Sequence, residues 1–280
     1  MRCKHHHRGE RRRALKAQIK AKPGLTAVYI ILRALVILAL VAQVFNRNFE
    51  NVFLCVLTLF LFTLPSFIER TIRIEIPDTL EVIILLFIFA AEILGEIQAY
   101  YVQFPYWDTM LHTLNGFLCA AIGFSLLDIL NRNEKLKFSL SPVYLSLVAF
   151  CFSMTIGVLW EFFEFSMDQL FLLDMQKDTI VHAIYSVALD PTRSNTVVGV
   201  TGITDAAVNG QSLGLGGYLD IGIVDTMQDL FVNFIGAVIF SFIGFFYVKN
   251  RGKGKFAPRF IPTVVAEDET PSSADATDQA

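Results

Sequence analysis

Apolar residues along this chain arrive in six long runs parted by shorter polar stretches. They cover Leu25–Phe45, Asn51–Ile68, Leu80–Tyr100, Asp108–Leu130, Pro142–Phe171 and Ile223–Val248. Each reaches or nearly reaches the ~20 residues that an α-helix needs to cross about 30 Å of hydrocarbon. None alternates apolar and polar residues as barrel strands do. Backbone groups in lipid must hydrogen-bond within their own segment, which favours helices for such runs. The pattern predicts an all-α, polytopic membrane protein with six transmembrane helices over 25–248.

Lys and Arg then orient the spans. Residues 1–24 form a basic head carrying Arg2, Lys4, Arg8, Arg11, Arg12, Arg13, Lys16, Lys20 and Lys22. Arg70 and Arg73 follow the second run, Arg132, Lys135 and Lys137 the fourth, and five more follow the sixth. The alternate connections hold only Arg47, Lys177 and Arg193. Positive charge collects on the cytoplasmic side of membrane proteins. The expectation is therefore N-in/C-in in a plasma or inner membrane, with Arg33 inside the first span snorkelling or paired. Residues 249–280, basic and then acidic (AEDETPSSADATDQA at the end), read as a disordered cytoplasmic tail. The connection at about 172–222 falls outside and shows no helix or strand period. Its glycine patch NGQSLGLGGYLDIG (209–222) lacks the strand-then-helix context of a nucleotide loop and reads as turns.

Composition agrees. Of 280 residues, 54% are hydrophobic and 18% charged, against roughly 45–50% and 25% in soluble domains. Cys3, Cys55, Cys119 and Cys151 have no metal or redox spacing. The last three read as small buried hydrophobes in helices, which excludes a secreted disulfide framework. The first apolar run is too long for a signal-peptide core and no cleavage site follows it. His5, His6 and His7 belong to the solvated basic head.

Polar residues inside the runs carry the chemistry. Glu92 and Glu96 are four apart; Asp108, His112 and Asn115 follow at i, i+4, i+7. Glu161, Glu164 and Asp168 stand at i, i+3, i+7 beside Trp160. Asp225, Asp229 and Asn233 stand at i, i+4, i+8, ahead of Gly236. Each set forms one stripe on a helix. With the expected topology, all lie within roughly 15 Å of the outer surface. A charge in mid-span costs on the order of 2.5–3.5 kcal/mol on insertion scales, so these groups should converge on a shared interior. Eight carboxylates and one imidazole, with no Lys or Arg at that level, need protonation or a cation to balance them. Carboxylate oxygen with one imidazole suits a divalent ion, Mg²⁺, Mn²⁺, Ca²⁺ or Zn²⁺. Candidate ligands are Asp108, His112, Glu164, Asp225 and Asp229; candidate catalytic groups are Glu161, Glu164, Asp229 and His112. Taken singly, Asp108 and Asp225 also suit helix N-caps, and Glu96 and Asp168 suit the headgroup level.

The runs WDTMLHTLNGF (107–117), WEFFEF (160–165) and DTMQDLFVNFIGA (225–237) resemble the YjdF-like bacterial inner-membrane family and, more remotely, VanZ-like membrane proteins. The resemblance covers about 25–248 and departs in the long connection before the last span. It implies the architecture and the choice of residues, and no reaction. Three function classes stay open. One is a metal-dependent enzyme acting on a lipid-linked or envelope substrate. The others are a cation-coupled transporter and a non-catalytic envelope or partner-binding protein. The partners expected are membrane lipids and a small-molecule or lipid-linked ligand, with no nucleic acid.

Overall fold

The computed structural model describes residues 22–72, 74–131, 140–250 and 252–264; the notable residues Cys3, His5, His6 and His7 and the acidic end of the chain lie outside them. Its helices are α1 (Pro23–Phe45), α2 (Phe49–Leu61), α3 (Leu64–Ile72), α4 (Asp78–Phe89), a π-helical stretch (Ala90–Ile97), α5 (Tyr100–Gln103), α6 (Trp107–Asn131), α7 (Pro142–Phe171) and α8 (Ile223–Lys249). Five segments are long and apolar enough to cross a membrane: Pro23–Phe45, Phe49–Thr71, Trp107–Asn131, Pro142–Phe171 and Ile223–Lys249. The third run differs from the uniform helix expected, because its continuous turns change from α to π at Ala90.

Many large apolar side chains face outward while several ionisable ones are held inside. Phe45, Phe53, Phe162 and Phe231 face outward, Phe45 at 82% exposure. Glu81, His112, Glu161, Glu164, Asp229 and Asn233 are buried. Exposed aromatic helix surfaces, with ionisable groups held inside, suit lipid as the surrounding solvent. This chain is a membrane protein.

Two compact units divide the chain. One comprises Met1–Trp107, Ala121–Ala149 and Phe240–Ala280; the other comprises Asp108–Ala120 and Phe150–Ile239. In the first, Leu32, Val36, Cys55, Phe62, Leu85 and Ile93 form the core. Pro65, in the first turn of α3, cannot donate to the carbonyl four residues back, and the helix breaks between α2 and α3 there. Arg33 sets its guanidinium 4.9 Å above the Tyr29 ring and reaches the Phe62 carbonyl at 3.4 Å. Tyr29 in turn donates to Glu81 at 2.6 Å. The Trp107 indole donates to the Ala90 carbonyl, where the π turn begins (3.3 Å).

The tail is not wholly disordered as composition suggests. Ala257, Phe260 and Ile261 are buried, and Thr263–Val264 (β8) pairs antiparallel with Ile74–Glu75 (β1). Ala257, Phe260, Ile261 and Pro262 of FAPRFIP supply this burial. Cys151 likewise departs from the buried position expected, being exposed on α7, while Cys55 is buried.

In the second unit the connection after α7 contains strands, which corrects a purely helical reading. β2 (Ile180–Val181) pairs with β7 (Tyr218–Leu219), β3 (Ala183–Ser186) with β4 (Val198–Thr201), and β5 (Ala207–Val208) with β6 (Gln211–Ser212). Most are two residues long, too short to show a period. Asn209 and Gly210 join β5 to β6 with φ of 53° and 80°, the positive-φ pair of a two-residue hairpin turn. The turns expected in the glycine patch are thus present, at Gly210, Gly214, Gly216 and Gly222, all at positive φ.

Candidate metal centre

The second unit brings portions of α6, α7 and α8 together through glycine. A Cβ at Gly116 would collide with the Asn233 carbonyl oxygen, and one at Gly236 with the Thr113 carbonyl oxygen. The two helix backbones therefore touch, as small residues permit within membranes. At Gly157 of α7 a Cβ would lie 2.7 Å from the Asn233 amide nitrogen. Polar side chains lace the crossing. Asn115 donates to Asn233 at 3.2 Å, and Ser153 donates to the Gly116 carbonyl at 2.7 Å.

One to two turns from that crossing, toward the starts of α6 and α8 and the end of α7, the ionisable groups gather. Counting ~1.5 Å per residue from the nearer helix ends puts His112, Asp229, Glu164 and Glu161 about 8–15 Å along their helices. Their ligand atoms, one from each residue, all lie within 4.8 Å of one another. A second group, Asp108, Asp225 and Asp229, meets the same measure, and Asp229 belongs to both. Six of the residues expected to converge from these three helices do so, while Asp168, expected with them, belongs to neither group. Glu92 and Glu96 sit on the π-helical stretch of the first unit and belong to neither group.

His112 stands among the acids without being hydrogen-bonded to them. Its Nε2 is 3.5 Å from Asp108 Oδ1 and 3.8 Å from Asp229 Oδ2, and its Nδ1 is 3.9 Å from Glu161 Oε1. These exceed the 2.7–3.2 Å of a good N–H···O bond. They are near the ~3.4 Å edge of a tetrahedron of ligands held about 2.1 Å from a metal. Glu161 Oε2 and Asp229 Oδ2 are fully buried with no hydrogen-bond partner, on residues only 4% and 3% exposed. Buried carboxylate oxygens are normally satisfied, so these two have capacity for a further partner. Glu164 is oriented by the Trp160 indole, which donates to its Oε1 at 2.9 Å.

The loop after α7 is fastened over these helix ends. Asp168 accepts from the main-chain N–H groups of Met175 (2.6 Å) and Gln176 (2.9 Å), and Asp225 Oδ2 accepts from that of Lys177 (2.7 Å). Gln176 donates to Thr226 at 2.5 Å. Asp168 thereby serves as a loop anchor, and Asp225 keeps one oxygen free of Lys177. The Lys177 ammonium turns away to Asp174. Gln176 and Thr226 escaped the sequence reading, since uncharged residues next to a loop carry no periodic signal. Outside the spans, Asp220 grips Thr179 and Val224 through their N–H groups at 2.7 and 2.8 Å. Desolvation opposes its charge, but these bonds outweigh it and hold its carboxyl below the usual range.

Such a site in such a fold defines a helical membrane protein with an acidic, histidine-bearing interior at one end of its helices. Residues 28–250 match the family described as "Predicted membrane protein (DUF2238)", and the chain belongs to that family. It is also 26% identical over 106 residues, 38% of its length, to an uncharacterized protein of Thermotoga maritima. The match spans about half of that relative, 53%. No solved structure matches.

Proposed function

We propose that this protein is a membrane-embedded, divalent-cation-dependent hydrolase acting on a lipid-linked or cell-envelope substrate. The observation that carries it is the pair of unpartnered, buried carboxylate oxygens, Glu161 Oε2 and Asp229 Oδ2, beside His112 and Glu164. A divalent ion held by His112, Glu164 and Asp229 would satisfy the Asp229 oxygen and offset charge that lipid opposes. Such an ion lowers the pKa of a bound water toward neutrality. Glu161 would accept the proton of a water attacking the substrate's ester or anhydride centre. The leaving group departs as the alcohol or acid after receiving the proton back from Glu161.

Topology completes the proposal. Asp78–Phe89 and Ala90–Ile97 together make a sixth span, and the Lys/Arg distribution sets both termini in the cytoplasm. The centre then opens on the outer half of a plasma or inner membrane, with membrane lipids as its surroundings. The motifs at 107–117, 160–165 and 225–237 support a YjdF-like, more remotely VanZ-like, affiliation. A second reading rests on the Asn115–Asn233 and Ser153–Gly116 hydrogen bonds: the polar groups merely hold helices together in a non-catalytic binding protein. Cation-coupled transport has no comparable observation behind it.

Metal content of detergent-purified protein tests the proposal. Elemental analysis should find a divalent metal in the wild type and at least tenfold less in His112→Ala and Glu164→Gln, with all three equally folded. A wild type that stays metal-free after dialysis against Mg²⁺, Mn²⁺ and Zn²⁺ in turn contradicts it.

A further inference from the structure

The cluster contains more ligands than one ion can use, and they fall into two sets. His112, Glu161, Glu164 and Asp229 form one; Asp108, Asp225 and Asp229 form the other. We propose that the centre holds two divalent cations, with the Asp229 carboxylate bridging them. This deepens the single-cation reading above and rests on it.

Three observations carry the second ion. Asp229 is the only residue common to both sets, and its Oδ2 is buried without a partner on a residue 3% exposed. A carboxylate has two oxygens and can give one to each of two ions. Secondly, the neighbours of the second set leave it ligand atoms. Lys177 N–H occupies Asp225 Oδ2, leaving Oδ1, and Asp108, whose carboxyl also meets that of Asp229, keeps its Oδ1 3.5 Å from His112 Nε2, beyond a good hydrogen bond. Thirdly, charge favours two ions when the acids are ionised. Asp108, Glu161, Glu164, Asp225 and Asp229 carry five negative charges when ionised. One divalent ion leaves three of them uncompensated among buried and half-buried groups; two ions leave one. The starts of α6 and α8, near Asp108 and Asp225, favour the remaining negative charge.

The two positions differ in chemistry. The first offers an imidazole with carboxylates and suits Mn²⁺, Fe²⁺ or Zn²⁺; the second offers oxygen alone and suits Mg²⁺ or Mn²⁺. Mn²⁺ fits both. Paired ions at about 3.5–4 Å clamp the attacking and leaving oxygens of an in-line displacement. The substrate class this favours within the proposed hydrolysis is a phosphate ester or pyrophosphate. The paired ions would supply the phosphate-binding charge that no Arg or Lys provides within the two sets.

Calorimetric titration of Mn²⁺ into chelator-stripped, detergent-solubilised full-length protein gives the test. Two Mn²⁺ per chain are expected in the wild type, one in Asp108→Asn and one in Glu164→Gln. The wild type alone should also give the dipolar-broadened electron paramagnetic resonance spectrum of a close Mn²⁺ pair, a readout that needs no variant to fold. One ion per chain with isolated-Mn²⁺ lines overturns the second site and leaves the single-cation reading standing. Two ions that both variants retain overturn the assignment to these residues. No bound Mn²⁺, Mg²⁺ or Zn²⁺ at all overturns the proposed function itself.

Discussion

Asp229 and Glu161 are costly residues to bury, and what surrounds them explains why the chain keeps them ionisable. Neither carboxylate has its full complement of hydrogen bonds, and a buried acid lacking partners is destabilising by about 1–3 kcal/mol or more. If a cation is the missing partner, Asp229→Asn should raise the melting temperature of the metal-stripped protein while abolishing the rise that metal gives the wild type. Differential scanning fluorimetry in detergent with and without Mn²⁺ measures both. At Glu164 the Trp160 indole is a positioning contact. Trp160→Phe should weaken metal affinity severalfold in a metal titration while leaving stoichiometry unchanged, because no ligand is removed. In the loop, the Thr192 hydroxyl and N–H, together with Ser194, bind Asp190 and hold its carboxyl well below the usual carboxylate range. A depressed folded pKa stabilises above the unfolded value, about 3.9, and that stabilisation is lost as pH falls below it toward the folded value. Hydrogen exchange of 190–196 should therefore stay slow from neutrality down to about pH 4 and quicken below. Asp190→Asn should lose the protection at neutral pH.

At the scale of elements, the α6–α8 crossing is what fixes the site. Its two glycines face each other's neighbouring carbonyls, so added side chains must push the helices apart. Gly116→Val or Gly236→Val should destabilise by roughly 1–3 kcal/mol and weaken metal binding in parallel, as thermal denaturation and metal titration would show. Much of this was legible in the sequence. The i, i+4 pairs Asp108/His112 and Asp225/Asp229 and the i, i+3 pair Glu161/Glu164 identify the stripes that meet, because helical spacing alone fixes which side chains share a face. The division into two groups around Asp229 was not legible, since it depends on how the helices cross. Nor were the strand pairs between α7 and α8, most of whose strands are two residues long and leave no period; the patch around Asn209 and Gly210 read only as turns. The β1–β8 pairing joins residues almost two hundred positions apart, and nothing local signals it.

Outward-facing aromatic side chains, with ionisable groups buried, suit a chain surrounded by lipid. The orientation proposed from charge is open to labelling. With native cysteines replaced, Asn195→Cys in the α7–α8 connection should react with a membrane-impermeant maleimide in intact cells, and Lys253→Cys should react only after lysis; the reverse pattern would invert the topology. The account turns on whether a metal occupies the acidic interior. Anomalous diffraction from crystals of the Mn²⁺-loaded protein shows this most directly. Density at coordination distance from His112, Glu164 and Asp229 is the predicted result. The account is contradicted if no such peak appears and Glu161 and Asp229 instead share a proton in a direct carboxyl–carboxylate hydrogen bond.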